Sequence, residues 1–304
     1  MQERTAFLFI PQRGTLAPGL AAHVREEPAF MAALDECERE IQQRAGWSLT
    51  DETRTPHDMH TSRDQPVVTA LQLAWVRLLQ SVGVEAAAAG GLSGGEVAAA
   101  WCCDAIDLGD TIHLALQYGR LADQDASRGG MGTLRADFGT IGELIERHAP
   151  EVARAVEMSG DLTVIAGPSA SVDRVMQAAA AHGIGGQRLP FERAYHNALI
   201  DELEGWFCDG LQPMRSRSTR IPLYSAVTRR VHDGRALTAR HWWQVARAAN
   251  LFYSMVREMI ADGYRRFIEI GPTPMLAESV RQAAHGTGAR VEVRTAADCV
   301  RGWS

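Results

Sequence analysis

The sequence contains no lysine: all 31 of its Lys+Arg positions are arginine. A Schiff-base enzyme, a pyridoxal-phosphate enzyme and a P-loop NTPase each need a lysine ammonium at the centre of the site, so the absence excludes all three. Every permanent positive charge is instead a planar guanidinium. An excess of positive charge is also missing. The formal net charge of −6 argues against nucleic acid as a partner, because the phosphate backbone is engaged through surplus cations. No apolar run approaches the roughly 20 residues of a membrane span. The start, Met-Gln-Glu-Arg, leads into only the short apolar run Ala6 to Ile10 and does not read as a signal peptide, so a cytoplasmic protein without membrane contact is expected. The cysteines (Cys37, Cys102, Cys103, Cys208, Cys299) are odd in number and lack CxxC spacing, which fits a reduced compartment. His57 and His60 form an HxxH in a polar stretch with no third ligand. They read as a solvated loop, and no resident metal is expected.

What remains is an ordinary globular composition, 46% hydrophobic and 22% charged, over a length that supports a large core and one subdomain. Thr5 to Ile10 reads as a buried strand ending in a tight turn. From Pro66 to Val82 the apolar residues Val67, Val68, Leu71, Ala74, Leu78 and Val82 recur at helical spacing, and Pro66 suits a first turn. Val84 to Ala89 then leads through Gly90-Gly91-Leu92-Ser93-Gly94-Gly95 into the helix-forming Glu96 to Cys103, giving the order strand, glycine turn, helix. Another helix is expected from Asp110 to Asp123. Beyond Arg128-Gly129-Gly130 the pattern shortens: Met131 to Leu134, a helix Ile141 to Ile145, a strand Leu162 to Ala166, a helix Val172 to Ala181, and a last piece Gln187 to Phe191. This alternation reads as a small split βαβ unit inserted in a larger α/β domain.

Gly91-Leu92-Ser93-Gly94-Gly95 fits G-x-S-x-G, the pattern that places a serine on a strained strand-to-helix turn. There the Ser93 hydroxyl is exposed beside helix N–H groups able to hold an oxyanion. A serine nucleophile needs a base. On spacing, His196 in Ala194-Tyr195-His196-Asn197 ranks ahead of His113, His182 and His241.

These blocks together resemble the malonyl-CoA:acyl-carrier-protein transacylase family and the acyltransferase domains of polyketide synthases. The resemblance runs in order along nearly the whole chain. It comprises Phe7-Leu8-Phe9-Ile10-Pro11-Gln12, Gln65-Pro66 through Gly83, Gly91 to Glu96, and Ala194-Tyr195-His196. Ile221 to Thr228, Trp242-Trp243 and Ile268 to Leu276 follow. It implies an α/β-hydrolase-like large domain (1–127 and 192–304) with an inserted ferredoxin-like small subdomain (128–191), in a stand-alone member. It also implies Ser93 as nucleophile, His196 as base, the backbone of Leu251 as the group orienting that histidine, and the N–H groups of Gln12 and Gly94 as the oxyanion hole. The substrate would be a phosphopantetheine thioester on acyl carrier protein or coenzyme A, with no bound cofactor.

The departures from the family carry the substrate argument. Where malonyl-transferring members hold an arginine against the malonate carboxylate, this sequence has Tyr118, preceded by Gln117. A buried carboxylate deprived of its bidentate partner loses ~3 to 5 kcal/mol of compensation, so an acyl group without a free carboxylate is expected. Leu92 replaces the usual histidine before the serine, Asn197 a common serine, and Pro11 and Arg13 turn glycines. With Tyr195, these changes describe a remodelled acyl pocket. Arg215, Arg217 and Arg220 form the densest basic run and offer a docking patch for an acidic carrier protein, against the plainer reading of a solvated loop. An acyltransferase of polyketide or fatty-acid assembly is the leading reading. An acyl-thioester hydrolase using the same dyad and a non-catalytic carrier-binding protein are the alternatives.

Overall fold

A computed structural model describes residues 4–11, 24–54, 62–124, 129–190 and 192–301. The larger sheet is ordered β10-β9-β1-β2-β7-β8 and is built from Glu292–Thr295 (β10), Arg266–Ile270 (β9), Thr5–Phe9 (β1), Ala88–Gly91 (β2), Leu223–Ser225 (β7) and Val231–His232 (β8). All neighbours pair parallel except β7 and β8. Strand β1, Thr-Ala-Phe-Leu-Phe, is buried on both faces, as a central parallel strand covered by helices must be. Its chain neighbour β2 lies on one side and β9 on the other. The carboxyl ends of β1 and β2 therefore open beside a point where the strand order reverses, the usual place for a site in such sheets.

Helices α1 (Pro28–Ala45), α2 (Leu49–Arg54), α3 (Asp64–Ser81), α4 (Gly95–Cys102) and α5 (Leu108–Gln124) fill the first half of this layer. Helix α3 is buried almost throughout, and the Trp75 ring meets Phe30 of α1 edge-on at 5.4 Å. Its Gln72 Nε2 donates to the Ile10 carbonyl at 2.7 Å and the Ile270 carbonyl at 3.3 Å, closing the ends of β1 and β9. The expected helix over 66–82 is thus present, starting two residues earlier. The strand placed over 84–89 instead begins at Ala88 and runs into Gly91. Glycines 90 and 91 belong to the strand because neighbouring elements leave no space there: a Cβ on Gly90 would sit 3.0 Å from Met255 Cε, and one on Gly91 2.2 Å from the Glu96 nitrogen.

The smaller sheet comprises β3 (Gly129–Leu134), β4 (Ala153–Ser159), β5 (Leu162–Pro168) and β6 (Gly186–Arg188) in the order β4-β5-β3-β6, with helices α6 (Phe138–His148) and α7 (Ser169–Ala181). This antiparallel order with two helices is ferredoxin-like. Strand β4 escaped the sequence reading. Its Ala-Arg-Ala-Val-Glu-Met-Ser breaks the two-residue alternation at two register shifts. The rest of the chain supplies a 3-10 turn (Ala198–Leu203), α8 (Glu204–Asp209), α9 (Ala239–Arg247), α10 (Phe252–Ala261), α11 (Ala277–His285) and α12 (Ala296–Arg301). Among the described residues no helix is long and apolar enough to cross a membrane, and no group of metal-binding side chains assembles.

Asn250 and Asn197 both tie the small sheet to the large domain. Asn250 donates its N–H to Ala155 O at 2.8 Å and accepts from Glu157 N at 2.9 Å, adding a bridge to β4. Asn197 is buried, donates through Nδ2 to Glu151 O (3.0 Å) and Ala166 O (2.9 Å), and caps the following 3-10 turn by accepting from Leu199 N–H at 3.0 Å. Asn197→Ala removes these partners from two carbonyls. It is expected to lower the unfolding free energy by about 2 kcal/mol or more in urea titration; a loss below ~0.5 kcal/mol would contradict a docking role for this side chain.

Candidate active site

Ser93 stands between β2 and α4 with φ of 49°, a left-handed conformation that non-glycine residues seldom adopt. Packing imposes it. A Cβ on Gly91 would meet the Glu96 nitrogen at 2.2 Å, and one on Gly95 the Phe9 carbonyl oxygen at 2.3 Å, so both glycines of G-x-S-x-G are demanded by backbone contacts. Among the described residues the Gly94 N–H has no acceptor, while its carbonyl accepts from Gln65 Nε2 at 3.1 Å. Gln65 thereby fixes the plane of the peptide following Gly94. The buried Glu96 anchors the first turn of α4 to the rest of the domain. It accepts from Ser225 Oγ at 2.9 Å and lies 2.7 Å from His241 Nε2.

Ser93 Oγ lies 3.0 Å from Nε2 of His196, 103 residues further along the chain. His196 is also left-handed, with φ of 60°, and its N–H donates to Ala246 O at 2.9 Å. On the far side of the ring, Nδ1 lies 2.7 Å from Ala248 O. A carbonyl can only accept, so the proton sits on Nδ1 and the Nε2 lone pair faces the serine hydroxyl. Burial lowers the His196 pKa to about 4 against the partial support of the Ala248 carbonyl, so the ring is neutral at pH 7. The orienting carbonyl is therefore that of Ala248 and not Leu251. The Leu251 N–H donates to Ala226 O at 2.7 Å, and the residue caps α10. The competing histidines are engaged elsewhere: His113 with Gly210 O at 2.8 Å, His241 with Glu96, and His182 at the end of α7.

The dyad opens into a cavity of about 400 Å³. Leu92, Gly94, Tyr118 and Tyr195 line it, as do Met131, Val156, Met158 and Val164 from the small sheet. Two residues expected in the pocket are placed otherwise. Gln117 is buried, donates to Phe207 O at 3.3 Å and does not line the cavity, and Asn197 faces the subdomain joint. The Tyr118 ring packs on Phe207 with centroids 5.1 Å apart, and its hydroxyl donates to the Trp242 carbonyl. That hydroxyl is committed, so its proton is not offered to the cavity. Burial raises its pKa well above the usual tyrosine range. Gln12 and Arg13, together with His57 and His60, lie outside the described residues; Pro11 reaches the cavity wall.

The basic run is strapped across the far end of α4. Arg217 Nε donates to Asp104 O and Arg220 Nε to Asp104 Oδ2, each at 2.7 Å, while the Arg215 N–H donates to Asp110 Oδ2 at 3.0 Å. Helix α4 alone puts about 12 Å between this end and Ser93, and none of the three arginines lines the cavity. Sequence reasoning passed over Ala248, Gln65 and Arg193. Ala248 acts through its backbone, which leaves no side-chain signal. Gln65 appeared merely as the start of a resemblance block. Arg193 carried its signal in plain view, a cation close before His196.

Comparison with known proteins agrees with this geometry. The family described as "Acyl transferase domain" matches residues 9–298. The Spectinabilin polyketide synthase system protein NorA of Streptomyces orinoci is 30% identical over 293 residues, covering 95% of this chain and 15% of that protein. The chain spans between 4 and 15% of the lengths of the leading curated relatives, all large synthases. Among solved structures, the acyltransferase domain from module 8 of the salinomycin polyketide synthase superposes with a TM-score of 0.90 at 25% identity, covering 96% of this chain and 70% of that one. The malonyl CoA-acyl carrier protein transacylase of Coxiella burnetii superposes with a TM-score of 0.89 at 20% identity, covering 99% and 96%, a likeness of fold. With its serine turn, its backbone-oriented histidine and a match running from β1 to α12, the chain belongs to the acyl transferase domain family.

Proposed function

We propose that the protein moves an acyl group without a free carboxylate from one phosphopantetheine thioester to another through an acyl-Ser93 intermediate, with acyl carrier protein as partner, in polyketide or fatty-acid assembly. The observation that carries this reading is the 3.0 Å contact of Ser93 Oγ with a neutral, buried His196 at the floor of a mostly apolar cavity. The synthase relatives favour the polyketide setting. His196 Nε2 takes the hydroxyl proton as Oγ attacks the thioester carbonyl carbon. The Gly94 N–H, at the N-terminal end of α4, is positioned for the oxygen that becomes negative. Collapse breaks the C–S bond, and the proton on Nε2 passes to the departing thiolate. In the second half a pantetheine thiol gives its proton to His196 and attacks the acyl-serine carbonyl, restoring Ser93.

The wall at Tyr118 offers no carboxylate partner, although Arg193 also lines the cavity. The Tyr118 ring presents carbon to the cavity and its hydroxyl is held by the Trp242 carbonyl. A malonyl carboxylate brought to that wall would lose its solvent and find no guanidinium there.

Three outcomes test the proposal. The rate of Ser93 acylation should stay level between pH 5 and 8 and fall about tenfold per unit below the His196 pKa of about 4, because protonation removes the accepting lone pair. A midpoint near 6.5 would contradict a buried neutral base. Intact-mass measurement with equal concentrations of malonyl- and butyryl-carrier thioesters should show malonyl loading slower by about 10²-fold, and equal loading would overturn the carboxylate argument. Loaded protein offered a second carrier should pass the chain on. Release as free acid with no transfer would assign hydrolysis in place of transfer.

A further inference from the structure

A closed circuit of contacts runs around the dyad. The Glu96 N–H donates to the Ser93 carbonyl at 2.9 Å, and the wholly buried Glu96 side chain accepts at Oε1 from His241 Nε2 at 2.7 Å. His241 stands in the first turn of α9. Ala248, seven residues further on and still tied to that helix by its N–H bond to Gln244 O at 2.8 Å, holds His196 Nδ1. His196 Nε2 then meets Ser93 Oγ at 3.0 Å and closes the loop. From His241 to Ala248 the circuit follows about 10 Å of hydrogen-bonded helix, a stiff spacer between the two halves of the site.

In this circuit His241–Glu96 is the joint made between two side chains outside the dyad, and both partners are braced. Glu96 Oε2 accepts from Ser225 Oγ at 2.9 Å, so each carboxyl oxygen has a donor. The His241 ring packs on the rings of His232 and Trp242, with centroids 4.9 and 5.1 Å away, and His232 is itself tied through Nε2 to Thr228 Oγ1 at 2.7 Å. A directional bond between buried polar groups fixes one register, where apolar packing alone would tolerate sliding. Neither His241 nor Glu96 lines the cavity, so neither touches the acyl chain.

We infer that His241 is a positioning residue for acyl transfer: through Glu96 it sets where α9 sits against the serine turn, and so holds the His196 lone pair at bonding distance from Ser93 Oγ. The inference rests on the acyl-Ser93 reading and adds a side chain that acts on the rate of the chemical step without contacting the substrate.

The test mixes the full chain with excess butyryl-pantetheine thioester, quenches rapidly and follows acyl-Ser93 by intact mass. The amplitude of the first turnover counts folded, competent molecules, and its rate constant reports the placement of the base. His241→Leu loses the donor to Glu96 by chemistry, and His241→Asn keeps a polar amide but is too short to reach. In both, the rate constant should fall about 10- to 100-fold, the cost of displacing a reacting group by a fraction of an ångström to one ångström, while amplitude and apparent thioester affinity stay within about twofold of wild type. His241→Gln, whose Nε2 takes the place of the ring nitrogen, should recover most of the rate. The asparagine variant keeps the measurement available where the leucine variant fails to fold. An unchanged rate constant, with or without a fall in amplitude, overturns the inference, as does an equal loss of rate in all three variants. A wild-type protein that forms no acyl-Ser93 overturns the acyl-serine reading itself, a result separate from any property of the variants.

Discussion

The backbone crowding around Ser93 is the constraint on which the rest of the structure depends. At Gly91 and Gly95 the chain passes so close to the Glu96 nitrogen and the Phe9 carbonyl that no side-chain carbon fits at either position. Strands β1 and β2 and helix α4 consequently meet main chain against main chain, and the residue between them is driven to φ of 49°. Strain of this kind persists where the surrounding structure over-determines it. Here a buried carboxylate in the first turn of α4, a parallel sheet and the Gln65 amide all bear on the same few residues. The return is a hydroxyl and the Gly94 N–H presented at one spot on the cavity floor.

The second half of the site depends on one short segment of backbone, residues 246–251. Its carbonyls at Ala246 and Ala248 hold the His196 N–H and ring, Asn250 pairs with β4 of the small sheet, and the Leu251 N–H bonds Ala226 beyond the end of β7. The histidine, the small subdomain and the central sheet therefore share a mount. The small sheet, whose residues form much of the cavity wall, is joined to the segment that holds the base by backbone hydrogen bonds and by Asn197 beside it. Arg193, which lines the cavity, lies on the same strip between β6 and His196.

Much of this was legible from residues. The G-x-S-x-G turn, the long buried helix behind it and the alternating unit after Gly130 each follow from glycine placement or apolar period. What was lost was lost for physical reasons. Strand β4 interrupts its own alternation with bulges, and β2 hides in glycines that ordinarily announce a turn. Groups that act through the backbone, such as Ala248, leave no mark in residue type, so the orienting carbonyl was placed three residues late at Leu251. Gln117 and Tyr118 show the limit of reading a pocket from adjacency. They are neighbours on α5 and both meet Phe207, yet Tyr118 reaches the cavity wall and Gln117 does not.

The lack of lysine, which first served to exclude chemistries, leaves arginine to mark each place where a fixed cation was retained. None stands at Tyr118, and one lines the cavity at Arg193. Everything proposed for the site turns on a covalent acyl-serine at the strained turn. Its most direct measurement is peptide mapping by tandem mass spectrometry after brief incubation with an acyl-carrier thioester and acid quench. The acyl mass is expected on Ser93 and should disappear when a free carrier thiol is added before quenching. An acyl group on another residue, or turnover with no covalent species in a Ser93→Ala protein, would contradict it.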